Sequence, residues 1–164
     1  VAVVVDTNVA MVASRLTPDV DERCVAACIN RLAVIREGGG LVLDESGHIL
    51  REYTKNLGHS GQPGVGHAFA KWAHDHQAIA ERVVCVPITP TTDGEWRKYT
   101  EFPDVSALQG FDPSDQKFVA VAVASGHNPP ILHATDRDWW NHKAALNAHG
   151  VSVESLCPQH APAP

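Results

Sequence analysis

The sequence predicts an α/β fold with a central parallel sheet of about four or five strands and helices on both faces. Two observations carry that expectation. Short apolar, mostly β-branched runs recur at residues 1–5, 41–43, 83–86, 131–134 and 151–153, each bounded by acidic, glycine or proline residues. Between them lie longer stretches whose apolar residues recur at spacings of three and four, as an amphipathic helix requires. Strands that alternate with helices in this way run parallel, joined by right-handed crossovers. The 164 residues fit one domain, expected over residues 1–156, and residues 157–164 (CPQHAPAP) are expected to form a disordered tail.

Taken in order, VAVVV reads as a buried strand that ends at Asp6. Thr17-Pro18-Asp19 offers an N-cap, a first-turn proline and a first-turn acid. The helix that follows carries Val20, Cys24, Ala27, Cys28, Leu32 and Ile35 on one stripe, and Gly38-Gly39-Gly40 ends it. After the strand at 41–43, Asp44 or Ser46 can cap a helix running to about Leu57, with Ile49, Leu50, Tyr53 and Leu57 turned inward. Four glycines and a proline between Gly58 and Gly66 predict a loop. A helix over 67–80 then leads to the strand at 83–86. Residues 87–113 read as irregular, with a short helix near 95–99. Ser114 is placed to cap an apolar helix over 118–124 that Gly126 ends. The strand at 131–134, a helix over 141–148 and the strand at 151–153 complete the pattern.

Thirteen Lys plus Arg against nineteen Asp plus Glu give a net charge of -6, which excludes a protein that grips nucleic acid through a broad basic surface. No apolar run approaches the ~20 residues of a membrane span, and no basic segment followed by an apolar one opens the sequence. Neither a membrane location nor a secretory signal is therefore expected. The four cysteines contain no C-x-x-C pair, which predicts reduced thiols and a cytoplasmic setting rather than a disulfide framework.

Ligand sites in parallel α/β folds lie at the carboxyl ends of the strands. Asp6 follows the first strand directly, and Asp136 and Asp138 follow the strand at 131–134. Glu52 lies within the third helix. In F-D-P-S-D, Pro113 biases Asp112 away from helical geometry while Ser114 caps, so Asp115 is the acid expected at the helix start. Two such charges ~4 Å apart at an effective dielectric near 20 repel by about 4 kcal/mol. A convergent set of acids therefore needs cations or protons. All-oxygen ligands favour Mg²⁺ or Mn²⁺, ions that stabilise in-line displacement at phosphorus and activate water.

The ordered segments V-V-V-D-T-N-V (3–9), I-L-R-E-Y (49–53), D-x-x-x-x-A-x-A (115–122) and A-T-D-R-D-W (134–139) resemble a PIN domain. The resemblance covers about residues 1–155. It implies a PIN-like sheet and a metal-dependent ribonuclease acting on single-stranded RNA, of the kind found as toxins in bacterial toxin–antitoxin pairs. It further implies Asp6, Glu52, Asp115 and Asp136 as catalytic metal ligands, with Asp138 as an extra acid and Asn8 as the residue that orients Asp6. Many members have Thr or Ser where this chain has Ala134; Thr135 offers the hydroxyl one position later. RNA, an antitoxin chain and a second copy of the protein are the partners implied. Arg51, Lys55, Lys117 and Arg137 flank the acids and are candidates to hold phosphate. Trp139 and Trp140 are candidates either for the core or for stacking on unpaired bases.

Other chemistries fit less well. Ten histidines raise the question of zinc, but His74 and His76 point to different sides of a helix and His67 and His74 are two turns apart. No Lys-Ser or Lys-Thr follows the glycines of 58–66, so a phosphate-binding loop is not expected. A metal-dependent phosphatase and an inactive PIN-like binding module are the alternative functions.

Overall fold

A computed structural model describes residues 1–57 and 64–164. The expected loop at 58–66 falls largely outside the described residues. Among the described residues five strands, β1 (Val4–Val5), β2 (Leu41–Asp44), β3 (Val83–Val86), β4 (Ile131–His133) and β5 (Val153–Ser155), alternate with six helices. These are α1 (Thr7–Ala13), α2 (Glu22–Gly38), α3 (His48–Asn56), α4 (Val65–His76), α5 (Gln116–Ala124) and α6 (Arg137–Ala148).

The α/β class and the parallel pairing hold, but the sheet is divided. β1, β4 and β5 form a three-stranded parallel sheet in the order β1-β4-β5, and β2 and β3 form a parallel pair. A single parallel bridge, Val3 to Leu41, adjoins the two, with Val3 N–H donating to Gly40 (2.8 Å) and Val42 N–H donating to Val3 (2.9 Å). The expected continuous sheet is thus corrected to three strands plus two. The cause is β1, which turns into α1 at Asp6 after only two strand residues and leaves no length for a second ladder. All five strands still run one way, so Asp6, Asp44 and the 134–136 segment share a carboxyl edge.

Helix α1 is the element the sequence does not announce. Val9, Ala10, Val12 and Ala13 are all buried, so VDTNVAMVA has no polar face and carries no helical period. Close packing of α4 on α1 requires Gly66, where a Cβ would stand 2.1 Å from the Ala10 carbonyl oxygen. The Gly66 N–H instead donates to Ser14 Oγ at 2.8 Å. The cap of α2 is Asp21, which accepts from Cys24 N–H at 2.7 Å, rather than Thr17. The N-cap of α3 is Gly47 rather than Asp44 or Ser46, although Asp44 still serves the helix start, its two oxygens accepting from His48 and Ile49 N–H at 2.8 and 2.9 Å. Helix α6 starts at Arg137, four residues earlier than expected, because Asp136 caps it.

Helix α5 is buried on every side from Gln116 to Ala122 and lies across β1, β2 and β4. Its Gln116 accepts from Lys98 N–H (2.7 Å) and donates to the Trp96 carbonyl (3.1 Å). Those bonds, with the antiparallel bridge between Pro90 and Tyr99, hold 95–99 in an irregular, bent path where a short helix is expected.

The cysteine expectation is overturned. Cys24 on α2 and Cys157 form a disulfide with a Cα–Cα distance of 5.1 Å across a separation of 133 residues. Local spacing cannot reveal a pairing made by the return of the chain through β5, and the bond withdraws the argument from thiols to a reducing compartment. In the chain-entropy picture, closing a loop of that length contributes about 5 kcal/mol. Pro158–His160 form a 3-10 turn, and His160 Nε2 lies 3.6 Å from Asp21, so this part of the tail is ordered against the α2 cap. Among the described residues no helix is long and apolar enough to cross a membrane.

Candidate metal centre

Three carboxylates distant in sequence meet at the strand edge: oxygens of Asp6, Glu52 and Asp115 all lie within 4.8 Å of one another. β1 ends in the β-to-helix turn that presents Asp6, the second turn of α3 presents Glu52, and the 3-10 turn Pro113–Asp115 delivers Asp115 just ahead of α5. Asp115 caps neither helix with its side chain. The cap of that turn is Asp112, which accepts from Ser114 N–H and Oγ, both at 2.9 Å. The expected division between the two acids therefore holds, while the capping role passes from Ser114 to Asp112.

Burial dominates the electrostatics. Asp6 is pushed up to about 7, first by burial, then by Asp136; Trp139 and the Asn8 backbone N–H pull the other way. Asp115 is pushed up to about 9 by burial and then by Asp6 and Asp136. Asp136 is raised chiefly by burial and comes within hydrogen-bonding reach of Asp115. It adjoins the three acids without joining their closest group, and one of its oxygens accepts from Asp138 N–H at 2.9 Å. Asp138 stands further out, accepting from Asp112 N–H (2.7 Å) and pairing with His142 (3.1 Å).

Neighbouring side chains fix the acids. Trp139, fully buried, donates its indole N–H to Asp6 at 3.1 Å, which settles it as a core residue with a polar task. Thr7 donates to Glu52 at 2.8 Å, and the Tyr53 hydroxyl donates to the Val5 carbonyl at 2.6 Å. Sequence reading missed both; the clue to Thr7 is its place in D-T-N beside the first acid. Asn8 Oδ1 accepts from Thr135 N–H (2.8 Å) and hydroxyl (3.2 Å), tying the turn after β1 to the turn after β4. Thr135 thus reaches Asn8 rather than Asp136.

Of the basic candidates, Lys117 is the one drawn into the centre. It is almost buried and pairs with Glu52 and the Ser114 carbonyl. Arg51 donates to the Ser46 carbonyl (2.9 Å) and lies 3.1 Å from His48 Nδ1. With Lys55, His48, Tyr99, Glu52 and Lys117, it lines a polar cleft of about 480 Å³. Arg137 is exposed on the first turn of α6. Trp140 is half-buried, its ring centroid 4.7 Å from that of His133.

The donor set fits a hard divalent cation. Oxygens on one octahedral Mg²⁺ are about 3 to 4 Å apart, so the three carboxylates need contract little to share an ion. Cation binding also relieves the repulsion that burial sharpens here. No family model, no curated protein and no solved structure matches the chain.

Lys117 substitutes for part of that cation charge. In Lys117→Gln, Glu52 loses its charged partner in a nearly buried position and keeps only the Thr7 hydroxyl, so the metal-free chain should lose roughly 2 kcal/mol. The rise in melting temperature on adding Mn²⁺ should exceed that of the parent, because the ion no longer competes with an ammonium. Melting curves with chelator and with Mn²⁺ check both; an unchanged metal-free value would show that the pair contributes nothing.

Proposed function

We propose that the chain is a metal-dependent ribonuclease of PIN type, hydrolysing phosphodiester bonds in single-stranded RNA. The observation that carries this reading is the meeting of Asp6, Glu52 and Asp115 within 4.8 Å at the shared carboxyl edge, with Asp136 alongside. The four ordered motifs support it, as does the Val3–Leu41 bridge, which brings the two sheets into the register of one parallel array.

Asp6, Glu52, Asp115 and Asp136 would hold Mg²⁺ or Mn²⁺. A cation there would neutralise charge developing at phosphorus and acidify water. At neutral pH burial keeps Asp115 protonated and Asp6 partly so in the metal-free chain, and a bound cation would displace those protons. Trp139 and Thr7 keep Asp6 and Glu52 from rotating away, and the Asn8–Thr135 pair holds together the turns that carry Asp6 and Asp136. Arg51, Lys55 and Lys117 line the adjoining cleft, where backbone phosphates of an RNA strand would lie. His48 and Tyr99, edge-to-face with centroids 6.0 Å apart, offer an aromatic surface there for an unpaired base. An antitoxin chain, if it blocks this centre, would bring a basic side chain to the acids.

The test offers the full chain a single-stranded RNA homopolymer and a chromogenic phosphate monoester, each with Mn²⁺ and with chelator. Cleavage of RNA alone, abolished by chelator, is the expected result. Ester hydrolysis with intact RNA would make the protein a phosphatase, and RNA binding without any turnover would make it a binding module.

A further inference from the structure

We propose that Cys24, Cys28 and Cys157, once the Cys24–Cys157 disulfide is reduced, form a thiolate site for one zinc ion with His160 as the fourth ligand. The sulfurs of all three cysteines lie within 4.8 Å of one another, and all three residues are fully buried. Cys28 Sγ is 4.0 Å from Cys157 Sγ. With Zn–S bonds of ~2.3 Å, two sulfurs on a tetrahedral ion stand about 3.8 Å apart, so this spacing already fits. The Cys24 sulfur must withdraw from its bonded position, and the His160 ring, which lies outside this group of sulfurs, must turn inward to join them.

The backbone supplies two rigid halves for such a site. Cys24 and Cys28 occupy adjacent turns of α2, and Cys157 and His160 bracket the 3-10 turn Pro158–His160, with His160 N–H donating to the Cys157 carbonyl at 2.9 Å. The chain thus presents C-x-x-x-C from a helix and C-x-x-H from a turn. His160 Nε2 is buried without a hydrogen-bond partner. Its nearest acid is Asp21, the residue that caps α2 at Cys24. At 3.6 Å that carboxylate gives the ring nitrogen no hydrogen bond, and a metal bond would supply the close partner it lacks.

The chemistry balances with a dithiol as reductant. It delivers two electrons and two protons to the Cys24–Cys157 bond and itself closes to a cyclic disulfide, leaving three thiols in the cluster. Zinc entry then releases three protons to solvent and forms three Zn–S bonds and one Zn–N bond. The site uses soft ligands on α2 and the tail and does not depend on the carboxylates of the nuclease reading.

Cobalt reports on it directly. The full chain, reduced with a dithiol and freed of it without oxygen, is titrated with Co²⁺ and then Zn²⁺. One equivalent of Co²⁺ should produce a thiolate-to-cobalt charge-transfer band and the strong visible bands of tetrahedral cobalt, both bleached by Zn²⁺. Carboxylate-bound cobalt gives no thiolate band, so failure of the nuclease reading leaves this readout intact. Cys28→Ser keeps the Cys24–Cys157 disulfide and hence the oxidised fold, and after reduction its charge-transfer band should fall by at least a third. His160→Ala should alter the visible bands while keeping the charge transfer. Absence of the band in the reduced parent, or an unchanged band in Cys28→Ser, would overturn the site. Unchanged visible bands in His160→Ala would overturn the fourth ligand.

Discussion

Asp115→Asn is expected to lower RNA cleavage by at least about 100-fold, a larger loss than removing an outer partner of a metal ligand brings. Asp112→Asn should stay within a fewfold of the parent. Only Asp115 has an oxygen in the group that meets Asp6 and Glu52; Asp112 is exposed and turned to Ser114. The stability effect has an unusual sign. Burial and the neighbouring acids keep Asp115 neutral up to about 9 in the metal-free fold. Asparagine imitates that neutral form in shape, so with chelator at neutral pH the variant should melt no lower than the parent. Asp112→Asn keeps an oxygen for Ser114 N–H and should cost under about 1 kcal/mol. Cleavage rates with Mn²⁺ and melting curves with chelator decide the matter. If Asp112→Asn loses cleavage while Asp115→Asn keeps it, the third acid has been misassigned.

Which parts of this arrangement the residues announce follows from where their signals lie. Asp6, Glu52, Asp115 and Asp136 are visible because each sits at an element boundary or on an amphipathic helix, and the strand-edge rule assembles them. The choice of Asp115 rests on Pro113, a local backbone constraint that survives in the structure. Helix α1 is hidden because it is buried on most of its surface, with only Asn8 and Met11 partly exposed, and so shows no polar face. The division of the sheet is hidden because it depends on how soon β1 turns into a helix, and VAVVV does not mark that point. The Cys24–Cys157 bond and the Thr7–Glu52 contact join residues 133 and 45 positions apart, so local spacing carries no trace of them. Lys117 reads as a flanking charge; its insertion beside Glu52 depends on α5 being a core helix, which packs even its first residues.

The stabilisation that Mg²⁺ confers should grow with pH, by about 4 kcal/mol or roughly 8–16 °C in melting temperature between pH 6 and pH 8. Asp6 and Asp115 titrate near 7 and 9 in the metal-free fold against an ordinary value of 3.8. As pH rises above 3.8 the unfolded chain releases these protons first, so the contribution of the two acids to metal-free stability is lost through the windows up to 7 and 9. His133 has the opposite sign. Burial lowers it from 6.5 to about 4, so its contribution is present above 6.5 and lost as pH falls through 4. Above pH 6.5 the histidine is neutral in both states, and the carboxylates govern the slope there. A cation binds their ionised form and must displace the protons they hold. For each proton displaced, apparent affinity rises about tenfold per pH unit, worth about 1.4 kcal/mol of stability at saturating ion. Melting curves at fixed Mg²⁺ and with chelator across this range measure the difference directly. In Asp115→Asn the proton held over the whole range is gone, and the pH dependence should flatten by about two thirds. An increment independent of pH in the parent would mean that Mg²⁺ binds elsewhere, because no ion can enter this centre without displacing those protons.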